Sequence, residues 1–209
     1  MSNHAIAALI LAGGKSSRMG RDKALIQWFG KPFLTRICEV AACCCSSVYV
    51  LTSWPERYQN IVSEWVQFLP ESSPDSPGPI VALADGLTHI DAEWVLLLAC
   101  DLPQLQPSIL KDWMSQLTDI SESILAVVPR QESGWEPLCG FYRRSALINL
   151  QNFINQGGRS FQLWLSQVPV HPLKLEPKLL SMLFNCNTPQ DLQALQNQTT
   201  EFKQELEID

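Results

Sequence analysis

Two stretches of this sequence carry residue types that could do chemistry together. The first is Leu11-Ala12-Gly13-Gly14-Lys15-Ser16-Ser17-Arg18-Met19-Gly20-Arg21-Asp22-Lys23, directly after the apolar run Ala5 to Ala12. Glycines let a backbone approach a ligand with no Cβ between them, and N–H groups exposed in this way can point at phosphate oxygens. Arg18 adds a planar fork that neutralises and grips phosphate, and Lys23 adds a compact point charge. The chemistry implied is a phosphate cradle. A P-loop is excluded because that motif needs glycine where Leu9 stands. A dinucleotide fingerprint is excluded because Gly13 and Gly14 are adjacent and the next glycine is Gly20. A glycine turn with a solvated basic face is the plain alternative. It explains a bare glycine pair better than it explains the whole stretch.

The second stretch is Asp101-Leu102-Pro103, which breaks the apolar run Trp94 to Cys100. A carboxylate at the end of a buried strand suits Mg²⁺. That ion takes hard oxygen ligands and often only one or two carboxylates, with phosphate and water completing its shell. The plain alternative is that Asp101 caps a turn before Pro103. A metal beside a phosphate cradle suits chemistry in which alignment and charge stabilisation carry the rate, with no covalent enzyme intermediate. The rest of the chain offers no obvious nucleophile or base. His4, His89 and His171 are scattered. The seven cysteines, of which Cys43, Cys44 and Cys45 are consecutive, contain no C-x-x-C pair and read as free thiols of a reducing compartment.

The elements that must position these residues follow from the pattern of apolar runs. Ala5 to Ala12, Ser47 to Thr52, Trp94 to Ala99 and Ile124 to Val128 are short and continuously apolar, as strands buried on both faces are. Helical spacing alternates with them: Pro32 to about Cys44, Glu56 to Glu64, Ile80 to His89 and Pro107 to Leu117. Trp65 to Leu69 reads as a short strand. Further on come a strand at Leu138 to Tyr142, helices at Ser145 to Phe153 and Ser160 to Leu165, and an extended stretch at Pro169 to Leu175. The predicted fold is α/β, a three-layer α/β/α arrangement with a mostly parallel, Rossmann-like sheet and helices on both faces. Ligands of such sheets bind beyond the carboxyl ends of the strands, so the loops after Ala12, Thr52 and Ala99 are the expected site. Asn185 to Asn187 reads as a strand end turning into a terminal helix, with Thr188 as N-cap and Pro189 at N1. One domain is expected over residues 1–209, with 198–209 as a frayed acidic tail.

The bulk properties narrow the partners. The chain has 209 residues, 46% of them hydrophobic, and a net charge of −6. An acidic protein has no long-range field for DNA or RNA, so a nucleic-acid partner is not expected. The local cluster Lys15, Arg18, Arg21 and Lys23 suits a small anion instead. No apolar run reaches membrane length, and no basic region precedes an apolar core as in a signal peptide. A cytoplasmic protein without membrane contact is expected.

The loop Leu-x-Gly-Gly, then Arg-Met-Gly, then Lys resembles the signature of nucleotidyltransferases of the glycosyltransferase-A-like superfamily. The ordered set is longer: Leu-Ala-Gly-Gly, Arg-Met-Gly, Asp-Lys, Pro-Gly-Pro at Pro77 to Pro79, Cys-Asp-x-Pro at Cys100 to Pro103, and Asn-x-Asn-Thr-Pro at Asn185 to Pro189. It resembles the molybdenum cofactor guanylyltransferases from about Ala7 to Leu195. The resemblance implies GTP and a molybdopterin-type cofactor as substrates, Mg²⁺ as cofactor, and GMP placed on the terminal phosphate of the pterin. It implies nucleotide contacts at Leu11, Ala12, Gly13, Gly14, Lys23, Glu71 and Asp101. Catalysis falls to Arg18, Lys23 and Asp101, with Asp101 on the metal. Acceptor contacts fall to Gly78, Asn185 and Asn187, with Arg159 and Ser160 nearby and Trp135 to Leu138 as a wall. Transient contact with other cofactor-biosynthesis proteins or molybdoenzymes is also implied. The chain departs from the pattern in two places. Leu51 or Thr52 stands where the family often has asparagine. Glu71, or a shifted Asp75, stands where it often has aspartate. Cytidylyl transfer to the same acceptor, transfer to a sugar phosphate, and a non-catalytic nucleotide-binding module are the competing readings.

Overall fold

The computed structural model describes residues 5–13, 19–71 and 78–206, with side chains 177–178 and 198–206 excepted. The first strand is β1 (Ile6–Leu11). After it comes a tight hairpin of β2 (Gln27–Trp28) and β3 (Lys31–Pro32). Phe29 and Gly30 both take positive φ at its tip, as a two-residue hairpin turn of the mirror-image type requires. Pro32 then caps α1 (Phe33–Ala42), whose buried stripe is Phe33, Leu34, Ile37, Cys38 and Ala41.

Next come β4 (Ser47–Thr52), a single turn α2 (Pro55–Tyr58), β5 (Gln67–Pro70), α3 (Pro79–His89) and β6 (Trp94–Ala99). The chain continues through α4 (Pro107–Gln116), β7 (Ala126–Gln131), β8 (Gly134–Trp135) and β9 (Cys139–Arg143). It ends with α5 (Ala146–Asn155), α6 (Phe161–Leu165), β10 (Val170–Lys174) and α7 (Pro189–Leu206).

The sheet runs β10-β7-β9-β6-β1-β4-β5, with β8 paired to β7. The strands β5, β4, β1 and β6 are mutually parallel, as are β7 and β10, whereas β9 runs antiparallel between β6 and β7. The winding reverses beside β1, which pairs with β4 on one side and β6 on the other. A crevice therefore opens beyond their carboxyl ends.

Each strand feeds two cores in alternation, the period-two pattern of a covered sheet. Ala8, Ile10, Leu96 and Leu98 face one core with Leu34 and Ile37 of α1 and Leu110 of α4. Ala7, Leu9, Val95 and Leu97 face the other with Leu83 and Leu87 of α3, Leu150 of α5 and Trp164 of α6. Helices on both faces make the three layers that the sequence predicts.

The structure also corrects the sequence reading. The helix expected over Glu56 to Glu64 is one turn. Its continuation is diverted because the Thr35 hydroxyl donates to the Ile61 carbonyl at 2.6 Å and Val66 N–H closes a turn onto Ser63. The segment before Asn185 is a 3₁₀ helix, Pro177–Leu183, not a strand. The terminal helix continues to Leu206. Among the described residues no helix is long and apolar enough to cross a membrane.

Candidate active site

The site is assembled where the chain returns three times to the carboxyl ends of β1 and β6. Lys23 opens a 3₁₀ turn, Lys23–Leu25, capped by Asp22, whose Oδ1 accepts from Ala24 N–H at 3.0 Å. The other Asp22 oxygen accepts from the Tyr58 hydroxyl at 2.7 Å. Burial, and then this bond, push the Tyr58 hydroxyl well above its ordinary pKa, so it stays a donor. A small apolar cluster fixes the same turn from outside: Met19, Ile26, Trp28 and Phe33 pack on Cys186, Leu192 and Leu195. The turn that carries Lys23 is therefore welded to α7.

The consequence is a three-residue contact. Lys23 Nζ lies 3.0 Å from Asp101 Oδ2 and 2.5 Å from Asn187 Oδ1. Their burial is substantial, with the Lys23 and Asp101 side chains 18% and 13% exposed. The second oxygen of Asp101, Oδ1, is buried with no hydrogen-bond partner among the described residues. An orphaned carboxylate oxygen is a costly thing to leave unmatched, and it points to a further cation or donor. Among the described residues no group of three or more His, Cys, Asp or Glu could hold a metal ion. Among the described residues Asp101 therefore offers a single carboxylate. That fits Mg²⁺ completed by phosphate and water and does not fit a protein-caged metal.

Asn187 is held by its own neighbours. Asp191 Oδ2 accepts from Asn187 N–H at 2.9 Å and from Thr188 N–H at 2.7 Å, while Thr188 Oγ1 accepts from Asp191 N–H at 3.1 Å. This reciprocal box caps α7. Burial works to raise the Asp191 pKa, but the backbone donor of Asn187, then those of Thr188, and the charge of Lys23 bring it below the ordinary carboxylate value. Cys186 N–H donates to the Asp101 carbonyl at 2.9 Å, which ties the Asn185–Asn187 segment to the end of β6. The Asn185 amide donates to the Leu183 carbonyl at 3.3 Å.

The nucleotide-side positions lie across the crevice. Ala12 N–H donates to Leu51 O at 3.1 Å, and Leu11 O accepts from Cys100 N–H at 3.3 Å. Both residues therefore end the strand with their backbones engaged on β4 and β6. Gly13 has φ +147°, and a Cβ there would sit 3.5 Å from the Trp54 ring. Arg57 stacks on that ring at 4.6 Å. Glu71 follows β5 and accepts from the Ser53 hydroxyl at 2.5 Å. Thr52 is buried, and its Oγ1 accepts from Trp54 N–H. Ser53, rather than Leu51 or Thr52, is thus the polar group beside Glu71.

Sequence reasoning did not single out Ser53 or Tyr58, and it gave Asp22 no role beyond its place in the Asp-Lys motif. Ser53 could have been found from its place directly after β4, and Asp22 from its place before Lys23. Nothing local marks Tyr58.

Other predicted positions have local contacts of their own. Gly78, with φ +102°, heads α3 on the face opposite Leu183, and its carbonyl accepts from Val81 and Ala82. The Arg159 guanidinium donates to the carbonyls of Ile154 and Gly158, and Ser160 caps α6. These contacts give both residues local structural tasks. Gly14, Arg18 and Asp75 lie outside the described residues. All seven cysteines are free. Burial pushes the Cys186 thiol up to about 11 and also raises Cys100 beside Asp101, which disfavours a thiolate at either.

Comparison with known proteins extends these observations. Residues 8–197 match the family model described as a MobA-like NTP transferase domain. A Nostoc protein named "Probable molybdenum cofactor guanylyltransferase" is 49% identical over 92% of this chain and 91% of its own. A Synechococcus elongatus protein of the same name is 49% identical over 91% and 97%. The crystal structure of molybdopterin-guanine dinucleotide biosynthesis protein A from Archaeoglobus fulgidus superposes with a TM-score of 0.76, at 22% identity, over 93% of this chain and 99% of that one.

Proposed function

Since this chain belongs to the MobA-like NTP transferase family and is a nucleotidyltransferase of molybdenum cofactor biosynthesis, we propose that it transfers GMP from GTP to the terminal phosphate of a molybdopterin-type cofactor. The observation that carries the reading is the meeting of Lys23, Asp101 and Asn187 at the carboxyl ends of β1 and β6. One cation, one metal-type carboxylate and one acceptor-side amide converge there from three distant parts of the chain.

In this reading the acceptor's phosphate oxygen attacks the α-phosphorus of GTP. A new O–P bond forms, the bond to the β-phosphate oxygen breaks, and pyrophosphate leaves with the electron pair. Lys23, with Arg18 from the glycine loop, neutralises the triphosphate and the charge that builds on the departing pyrophosphate. Asp101 would hold Mg²⁺ through its unmatched oxygen, and the bound ion would supply charge neutralisation and a template for phosphate oxygens. Asn187 keeps Lys23 aimed at that point. Gly13, lying bare over Trp54, leaves room for the nucleotide to approach the backbone.

Base choice falls to Glu71. Guanine presents an N–H and an amino group side by side, and a carboxylate accepts from both. Adenine and cytosine each present a donor beside an acceptor on that edge. Ser53 fixes one Glu71 oxygen and so orients the other.

Pyrophosphate release, with Mg²⁺ and the molybdopterin-type cofactor, is compared for GTP, CTP, ATP and UTP. Release with GTP alone, weakened by Glu71→Gln, supports the reading. Preference for CTP contradicts the assignment of the base.

A further inference from the structure

Glu136 is a half-buried carboxylate that the transfer chemistry above does not use. It stands between β8 and β9 at a recess of about 100 Å³. Leu102, Pro137, Leu138 and Leu183 give the recess apolar walls, and Glu136 and Asn185 give it polar groups. The rim is rigid. Glu136 N–H donates to Pro129 O at 2.9 Å, the Tyr142 hydroxyl donates to Pro137 O at 2.8 Å, and Ala99 N–H donates to Leu138 O at 3.0 Å. The recess also adjoins the transfer site. Leu102 follows Asp101, and Asn185 lies two positions before Asn187.

The polar groups are unevenly spent. Gln131 Nε2 donates to Glu136 Oε1 at 2.7 Å, and the other oxygen has no protein donor among the described contacts. Asn185 spends its amide N–H on Leu183 O, and its side-chain oxygen has no donor among the described residues. The recess thus offers acceptors between apolar walls. Its complement is a flat ring whose edge carries two adjacent donors. Burial raises the Glu136 pKa against the lowering effect of Gln131, as expected of a desolvated carboxylate short of donors.

We infer that Glu136, with Asn185, binds the 2-amino-4-oxo edge of the acceptor's pterin, through its ring N–H and 2-amino group. The inference rests on the proposed function for the identity of the acceptor. It gives the chain two carboxylates for two edges of the same type: Glu71 on one side of Asp101 for guanine, and Glu136 on the other for the pterin. The recess admits the donor edge of the ring, and the remainder of the acceptor extends towards Asp101.

The test uses the full chain and the isosteric variant Glu136→Gln, which turns one acceptor into a donor. Losing a charge-assisted hydrogen bond predicts a roughly 10- to 100-fold rise in KM for the molybdopterin-type acceptor. KM for GTP and kcat should stay within about threefold. An unchanged acceptor KM, or an equal rise in the KM for GTP, overturns the inference.

A binding measurement separates it from the function itself. Fluorescence titration compares 6-hydroxymethylpterin with its 2-oxo counterpart, which lacks the amino donor. Wild type should prefer the pterin, and Glu136→Gln should lose the preference. Equal binding of both, or no binding of the pterin, overturns the inference whether or not GMP transfer is observed. Absence of GMP transfer by the wild type, with the pterin preference intact, would instead count against the proposed reaction.

Discussion

Lys23 Nζ lies 3.0 Å from Asp101 Oδ2, although the two residues are 78 positions apart. Lys23 therefore supplies the positive charge that pairs the Asp101 carboxylate. A bound triphosphate gives Lys23 a stronger anionic partner, and Asp101 then calls for another cation.

A stability measurement follows from this exchange. Lys23→Met leaves a mostly buried carboxylate unpaired, which destabilises the protein by about 1–3 kcal/mol, less than for a fully buried pair because both side chains keep some contact with water. Thermal unfolding in chelator should show the loss, and Mg²⁺ should recover part of it. Lys23→Met combined with Asp101→Asn should be more stable in chelator than Lys23→Met alone, since the uncompensated charge is gone. A double variant no more stable than the single one would deny the pairing.

Asn187→Ala should act through Lys23. The variant loses the 2.5 Å contact that aims the ammonium, and kcat/KM should fall roughly 10-fold, about the value of one hydrogen bond to a charged group. In a Lys23→Met background the same substitution should cost much less. Additive losses in the double variant would mean that Asn187 works independently of Lys23.

Gly86 tests the packing that carries the glycine loop. A Cβ there would lie 2.3 Å from Leu9 Cδ2 and 3.2 Å from Leu9 Cγ, so α3 is pressed against β1 just behind the site. Gly86→Ala should lower stability by about 1–3 kcal/mol through overpacking, read as a drop in unfolding midpoint. Retained stability would show that Leu9 has room to move.

Glu136 carries a pH signature. Its folded pKa is raised by burial against the lowering effect of Gln131, so the neutral acid persists to higher pH in the folded chain than in the unfolded one. As pH rises from the ordinary carboxylate value through the raised one, the unfolded chain binds fewer protons than the folded chain and stability is lost. Below that window nothing is lost. Glu136→Gln should remove this slope, so the difference in unfolding midpoint between variant and wild type should move in favour of the variant from pH 4 to pH 8. A difference that moves the other way would show that the carboxylate is stabilised by its surroundings.

Much of the site's frame was legible in the residues. Continuously apolar runs located β1, β4 and β6, because strands covered on both faces have no polar side to show. Gly13 and Asp101 were then placed by the rule that ligands meet the carboxyl ends of such strands. The capping of α7 by Thr188 was legible because it is local.

What was hidden depends on contacts between distant segments. Tyr58 reaches Asp22 across the fold, and Ser53 reaches Glu71 across a strand pair. The antiparallel insertion of β9 leaves no mark on its own composition. The helix expected after Glu56 was stopped by bonds from Thr35, which local periodicity does not register.

The central claim is that the α-phosphate of GTP moves to a molybdopterin-type cofactor with Asp101 as the metal anchor. It is tested most directly with GTP radiolabelled at the α- or the γ-phosphate, incubated with the cofactor and Mg²⁺ and wild-type or Asp101→Ala protein. The account predicts α-label on the cofactor, γ-label in pyrophosphate, and neither product from a folded Asp101→Ala variant. Label from the γ-phosphate on the cofactor, or undiminished transfer by Asp101→Ala, would contradict it.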